Sequence, residues 1–165
     1  MTTAEKVAQY FLSKDPNREI FTKELVEKNN RTFYKGNARL NKYIHMAQNI
    51  YIAKNRKKLF EDDFYAYDNG AVIPSIQENY SIYFSLRGAV EDLSSEEKEF
   101  LDKLFILLKD ATLEDLIELS HEDDEWKKKQ RFYNKENQRM DSLSMIDDYV
   151  EQYEDVIEVM DRLVV

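Results

Sequence analysis

The sequence predicts a mainly α-helical protein, a single-domain bundle of about seven helices with one short β-hairpin, spanning residues 1–165. Glycine and proline are scarce, with three and two residues, which disfavours a turn-rich all-β chain. Apolar residues recur at helical spacing along most of the chain. No linker or low-complexity tract divides it, and a chain of this length supports one sizeable core.

The N-terminal segment has the pattern of an amphipathic helix. Its apolar residues recur at i, i+3, i+4, i+7 and i+8, namely Ala4, Val7, Ala8, Phe11 and Leu12. Thr2 and Glu5 have the spacing of a capping box, which predicts Thr2 as the N-cap. Asp15 and Pro16 end this helix. Thr22 is then predicted to cap a short second helix, KELVEKN.

A long helix is predicted from about Ala38 to the basic run NRKK. Its apolar stripe follows the helical repeat and consists of Leu40, Ile44, Ala47 and Tyr51. Four polar residues fall on the opposite half of the helical wheel: Asn41, His45, Gln48 and Asn49. This pattern indicates one core-facing side and one polar side.

The segment DFYAYDNGAVIPSI combines aromatic residues, a glycine and a proline. FYAY favours a strand, Asn69 and Gly70 supply the positive φ of a tight turn, and AVI can return antiparallel. Pro74 lacks an N–H and holds Ile73 extended, which suits the first position of a new helix, PSIQENYSIYF. We therefore predict a β-hairpin followed directly by a helix.

Helix starts in the C-terminal half have capping residues at three places: Ser94, Thr112, and Asp123 or Asp124. The first precedes a helix with an apolar face, the second precedes LEDLIEL, and the third precedes a short helix that carries Trp126. A last helix, about 144–162, has a Tyr/Ile/Met stripe that either closes the core or meets another helix.

Charge is unevenly distributed along the chain. The net charge is −9, but from Lys14 to Lys58 there are twelve Lys/Arg and four Asp/Glu, a balance of +8 that leaves −17 elsewhere. This basic region either contacts a phosphate backbone or an acidic protein, or is a solvated face. FTKELVEKN and ARLNKYIHMAQNIY also have the order of a helix–turn–helix, although the same pattern is typical of core helices.

Several classes of protein find no support in the sequence. There is no cysteine, which excludes disulfides and a thiolate nucleophile and agrees with a cytoplasmic location. The first residues lack the apolar run of a signal peptide, and no stretch approaches the ~20 apolar residues of a membrane span. We therefore expect a cytoplasmic protein without membrane contact, and the sequence defines no oligomeric state.

Catalytic and metal-binding motifs are also missing. His45 and His121 belong to no HExxH motif, and neither has an evident serine partner. The acidic run HEDDEW lacks the alternating ligands and glycine of a calcium loop and is predicted to be a solvated helix start. No phosphate loop or GxSxG elbow occurs. We predict no enzyme, no catalytic residue, no metal site and no cofactor.

The order of these motifs resembles the Panacea domain family, the SocA-like antitoxins, which are related to phage-associated GepA-like proteins. LNKYIHMAQNIYIA is similar to the family's Leu-x-Lys-Leu-x-Tyr-x-Ala-Gln helix, with matches at Leu40, Lys42, Ala47 and Gln48 and His45 in the usual Tyr position. LFEDDFYAYDNGAVIPSI is similar to the family segment LF…EAWxxGPVxPxxY, with matches at Leu59, Phe60, Ala66, Gly70, Val72 and Pro74.

The resemblance extends over roughly residues 4–135. LSSEEKEFLDKLF and ELSHEDDEWKK resemble the family's late helix and its Thr-His…Trp signature, with matches at His121 and Trp126. Tyr67 stands in the usual Trp position, Ser120 replaces Thr, and Ala71 replaces the proline of GPV. The region between the first two family helices looks enlarged here by the segment NREIFTKELVEKNNRTFYKG. The tail after about Lys135 has no family counterpart.

The resemblance implies a non-enzymatic antitoxin that neutralises a co-encoded toxin by protein contact, often in phages or mobile elements. Seven residues are candidates for partner binding: Lys42, His45, Tyr67, Gly70, Pro74, His121 and Trp126. Two alternatives are a DNA-binding regulator that uses the basic region 14–58, including at its own promoter, and an adaptor that delivers a bound protein to a protease.

Overall fold

The computed structural model describes residues 1–165 and contains nine α-helices and two β-hairpins. The first part consists of α1 (Ala4–Ser13), β1 (Leu25–Lys28), β2 (Arg31–Tyr34), α2 (Lys35–Asn55), β3 (Tyr65–Tyr67) and β4 (Gly70–Val72). The second part consists of α3 (Pro74–Glu78), α4 (Tyr80–Ser85), α5 (Ser95–Leu108), α6 (Leu113–His121), α7 (Asp124–Lys129), α8 (Ile146–Gln152) and α9 (Glu154–Arg162). The mainly helical fold class is confirmed. None of the helices has the length and apolar character needed to cross a membrane.

Helix α2 lies at the centre of the fold. It contacts α1, α5, α6, α8 and the β4 strand, and every residue from Leu40 to Ile50 is buried. The predicted apolar stripe is part of the core, and the polar side of the helix is buried as well. The polar side is enclosed because α6, α8 and the segment after α2 cover it, and its side chains have hydrogen-bond partners there.

The predicted second helix, KELVEKN, is wrong. Leu25–Lys28 form strand β1 instead, which pairs antiparallel with β2 so that Leu25 lies opposite Tyr34. Asn29 and Asn30 form the turn and have φ angles of 54° and 62°. Two consecutive residues with positive φ match the right-handed twist of a hairpin, and asparagine tolerates this conformation. The helix–turn–helix, which the sequence left open as an alternative to a core helix, is therefore absent.

The second hairpin confirms the prediction for the aromatic segment. Tyr65 pairs with Val72 and Tyr67 pairs with Gly70, whose φ of 134° needs a residue without Cβ. Pro74 is the first residue of α3. Proline is tolerated there because an N–H at this position has no acceptor within the helix.

Most helix caps are where the sequence predicts them. Ser94 and Thr112 both form complete capping boxes at the starts of α5 and α6. The first helix differs, because Thr3 and not Thr2 accepts the capping hydrogen bond. Thr2 instead forms a β-bridge with Phe60, which ties the N-terminus to the segment after α2.

The predicted C-terminal helix consists of two helices, α8 and α9, which meet at Tyr153. Two short 3₁₀ turns, Lys135–Gln138 and Ser142–Met145, precede them. The stripe closes the core, since Tyr149, Tyr153 and Met160 are all buried.

Candidate functional site

The turn of the β3–β4 hairpin is held between α2 and α7. The Lys42 ammonium donates a hydrogen bond to the carbonyl of Asn69 at 2.6 Å. From the other side, the indole N–H of Trp126 donates to the carbonyl of Tyr67 at 2.8 Å. A Cβ on Gly70 would lie 2.2 Å from Lys42 Nζ, so glycine is required for close contact as well as for its φ.

Lys42 is a buried cation without a counter-ion. The residue is 3% exposed, and no carboxylate lies within 4.0 Å of its Nζ. Burial, with a smaller contribution from the nearby charge of Lys28, lowers the pKa of Lys42 to about 8. The amine is therefore still largely charged at neutral pH.

A cleft of about 390 Å³ lies between the two hairpins and the N-terminal half of α2. Residues of both hairpins and of α2 form its walls, among them Arg31, Phe33, Asn41, Lys42, Tyr67 and Gly70. The tips of the hairpins are joined by a hydrogen bond from the Asn29 amide to the Asn69 side-chain oxygen. This hydrogen bond holds the turns of the two hairpins together at the edge of the cleft.

Asn41 lies in the wall of this cleft and is 2% exposed. Its amide N–H₂ group donates to the backbone and side-chain oxygens of Asn37, both at 3.0 Å. Its side-chain oxygen has no hydrogen-bond partner. A buried acceptor without a donor is unfavourable, so a donor that reached this oxygen would be bound favourably.

His121 stacks on Trp126, with ring centroids 4.1 Å apart and planes 3° from parallel. Burial, together with the charge of Lys42, lowers the pKa of His121. A neutral imidazole in this position avoids adding a second positive charge beside Lys42. The stack supports the indole that holds the hairpin turn.

His45 lies deeper in the protein and contacts Asp123, and both side chains have no exposed surface. The carboxylate of Asp123 accepts from His45 Nε2 at 2.7 Å, Asn49 Nδ2 at 2.9 Å and Tyr149 Oη at 2.7 Å. It also caps α7 by accepting from the Glu125 N–H at 3.0 Å. Asp123 thus joins α2, α7 and α8.

Hydrogen bonds control the ionisation of Asp123. Burial on its own would raise its pKa, but the donors His45, Asn49 and Tyr149 together outweigh burial and hold the pKa below its ordinary value. Asp123 is therefore a buried carboxylate at neutral pH. The prediction that HEDDEW is a solvated helix start is wrong for Asp123 and Glu125, which are both buried.

Gln48 connects α2 to the segment that precedes the hairpin. Its amide donates to the Phe60 carbonyl at 2.7 Å, and its oxygen accepts from the Leu59 N–H at 2.8 Å. The side chain thus satisfies one buried backbone carbonyl and one buried backbone N–H, as a neighbouring strand would do. Gln48 therefore holds the Leu59–Phe60 segment against α2.

The structure brings five of the seven candidate residues together around the hairpin turn: Lys42, Tyr67, Gly70, His121 and Trp126. Pro74 is half-buried at the start of α3, one strand away from the turn. His45 is completely buried, so its side chain has no surface to offer a partner. Sequence reasoning missed Asn41 and Asp123 as site and support residues, because their roles depend on distant neighbours.

The polar groups of this region form one buried His–Asp pair and one open cleft. The His45–Asp123 pair has the geometry that orients a base in hydrolases, but no nucleophile contacts His45, whose Nδ1 has no partner. No three His, Asp or Glu side chains come together as a possible metal site. The cleft is lined by cationic, amide and aromatic residues, among them Lys42, Arg31, Asn41 and Tyr67, together with one carboxylate, Asp68.

The family profile of the antitoxin SocA-like, Panacea domain matches residues 40–127. This span begins in α2, includes the second hairpin and ends in α7, so it contains the whole hairpin-turn site. It covers more than half of the sequence, and the chain belongs to this family. No curated protein and no solved structure matches the chain.

Proposed function

We propose that the protein is a non-enzymatic antitoxin that neutralises a co-encoded toxin by direct contact in the cytoplasm, in a phage or another mobile element. The observation that carries the proposal is the match to the SocA-like antitoxin family over residues 40–127. The cleft supports it, because its wall contains the Lys42 ammonium without a counter-ion and the Asn41 side-chain oxygen without a donor.

The partner surface is proposed to include the second hairpin and the cleft beside it. Lys42, Tyr67 and Gly70 line the cleft and are the proposed contact residues. His121 and Trp126 are proposed to hold the hairpin turn, and Pro74 to fix the start of α3. His45 is proposed to act through Asp123, because it is buried.

Co-expression with the product of the adjacent gene tests the proposal. The neighbour alone should arrest growth, and this chain should restore growth and be recovered with the neighbour as a complex. Substitution of the proposed contact residue Lys42 should weaken rescue. Arg87→Ala is the control for that substitution, since Arg87 lies in the segment after α4, outside the cleft. A harmless neighbour, or toxicity without rescue, would contradict the antitoxin assignment.

The same experiment separates direct blocking from delivery to a protease. Direct blocking leaves the toxin at an unchanged level in the rescued cells. An adaptor lowers the toxin level, and the decrease depends on the protease. DNA binding is a separate outcome, detected as a shift of the upstream DNA that weakens steeply with added salt.

A further inference from the structure

We propose that the cleft between the two hairpins binds a carboxylate side chain, Asp or Glu, on an extended segment of the toxin. The proposal rests on the antitoxin function and deepens it by naming the chemistry of the partner. Lys42 would contact the carboxylate, and the side-chain oxygen of Asn41 would accept a backbone N–H of the same segment.

The first support is the charge of the cleft. Buried charges in proteins are normally paired, yet Lys42 is 3% exposed and its only hydrogen bond goes to a neutral carbonyl. Lys28 lies close enough for its charge to affect Lys42, and Arg31 is in the cleft wall. Positive charge is therefore concentrated around Lys42, whose ammonium contacts no carboxylate.

Two carboxylates pair with the neighbouring cations Lys28 and Arg31, and neither contacts Lys42. Asp68 lies in the wall but is 3.8 Å from Arg31, with both side chains largely exposed. Glu114 pairs with Lys28 at 3.2 Å and is also exposed. His121 faces Lys42 as a neutral ring, since burial and Lys42 lower its pKa. A ligand carboxylate would be the first anion in direct contact with Lys42.

The second support is the unpartnered oxygen of Asn41. The oxygen is buried in the same wall, one residue before Lys42, and it requires a donor. A peptide segment supplies a carboxylate and N–H donors together. A DNA backbone supplies only acceptors and would leave this oxygen unsatisfied. The net charge of −9 also disfavours nucleic acid in general.

NMR titration of the ¹⁵N-labelled full chain tests this inference with two capped tripeptides, acetyl-Ala-Glu-Ala-amide and acetyl-Ala-Gln-Ala-amide. The Glu peptide should shift the Asn41 side-chain amide and the Asn69 and Gly70 backbone amides in a saturable way. It should bind about tenfold tighter than the Gln peptide, because a charge-assisted hydrogen bond is stronger than a neutral one. Equal binding of the two peptides, or no binding, would overturn the proposal.

Two variants and two further ligands sharpen the test. Lys42→Met should abolish the preference for the Glu peptide, whereas Lys54→Met should keep it, because Lys54 is on the surface and pairs with Asp161. If Lys42→Met fails to fold, the affinities of the unaltered chain for the Glu peptide and the Gln peptide still test the proposal. Inorganic phosphate or a single-stranded oligonucleotide that binds the same residues more tightly than the Glu peptide would overturn the assignment to a protein carboxylate.

Failure of this inference is distinguishable from failure of the proposed function. If the chain rescues growth but neither peptide binds and Lys42→Met rescues equally well, the antitoxin function stands and the carboxylate site is wrong. If the neighbouring gene is harmless but the Glu peptide binds selectively, the site is a carboxylate receptor with another partner.

Discussion

The Nε2 atom of His45 lies 2.7 Å from the Oδ2 atom of Asp123, although the two residues are 78 positions apart and neither side chain is exposed. The pair links the central helix α2 to the start of α7. Because α7 carries Trp126, whose indole holds the hairpin turn, the pair also positions the site beside the cleft.

Asp123→Asn should reduce the free energy of unfolding by roughly 3–5 kcal/mol, because an amide places donors against the donors of His45 and Tyr149 and removes the buried charge. Urea denaturation measures the change. Asp124→Asn is the matched control, since Asp124 is exposed in the first turn of the same helix and its loss should change stability by only ~0.5 kcal/mol. Similar values for both variants would refute the role of Asp123.

Gly70→Ala should destabilise the protein more than Gly88→Ala does. Both glycines have positive φ angles, 134° and 121°, so both changes introduce backbone strain of about 1–3 kcal/mol. Only at Gly70 would the new Cβ meet Lys42 Nζ, at 2.2 Å, whereas nothing lies within 4 Å at Gly88. The difference between their thermal midpoints measures the steric contribution of the hairpin contact, and equal midpoints would show that the contact is unimportant.

Local patterns predicted much of this fold. The apolar repeat of α1, the capping boxes of α5 and α6, and the turn at Asn69–Gly70 are all determined by residues close in sequence. For the first hairpin, lysine and glutamate in KELVEKN favour a helix, yet the two asparagines adopt the positive φ of a hairpin turn. The Asn29–Asn30 turn therefore outweighs the helix propensity of the residues before it.

The burial of the polar residues of α2 could not be predicted from local sequence patterns. On a helical wheel, His45 and Asn49 are indistinguishable from solvent-facing residues, because their partner Asp123 is more than 70 positions away. The same holds for Gln48, whose partners belong to the segment after the helix. Only the resemblance to the family singled out His45 and Gln48, and it gave no physical reason for them.

Trp126→Phe should loosen the second hairpin. The change removes the N–H donor and leaves the Tyr67 carbonyl without its partner at a cost of about 1–3 kcal/mol, while the aromatic ring still stacks on His121. Amide hydrogen exchange should become faster in β3 and β4 than in α5. Tyr133→Phe, at a fully exposed ring, is the control and should leave exchange unchanged. Unchanged protection of the hairpin in Trp126→Phe would show that the indole does not hold it.

The free energy of unfolding should increase as the pH rises from 8 to 10, because the buried amine of Lys42 loses its proton over this range. Its pKa is about 8 in the folded protein, below its ordinary value of 10.5, so the unfolded chain binds more protons between these values. Over this range the wild type should gain about 2 kcal/mol of unfolding free energy relative to Lys42→Met, which has no titrating amine.

Urea denaturation at several pH values measures this difference. The buried tyrosines Tyr43 and Tyr80, whose pKa values burial raises, act equally in both proteins and cancel in the comparison. A difference that stays constant from pH 8 to 10 would mean that Lys42 is solvated when the protein is folded. In that case the ammonium would have no need of a partner's carboxylate.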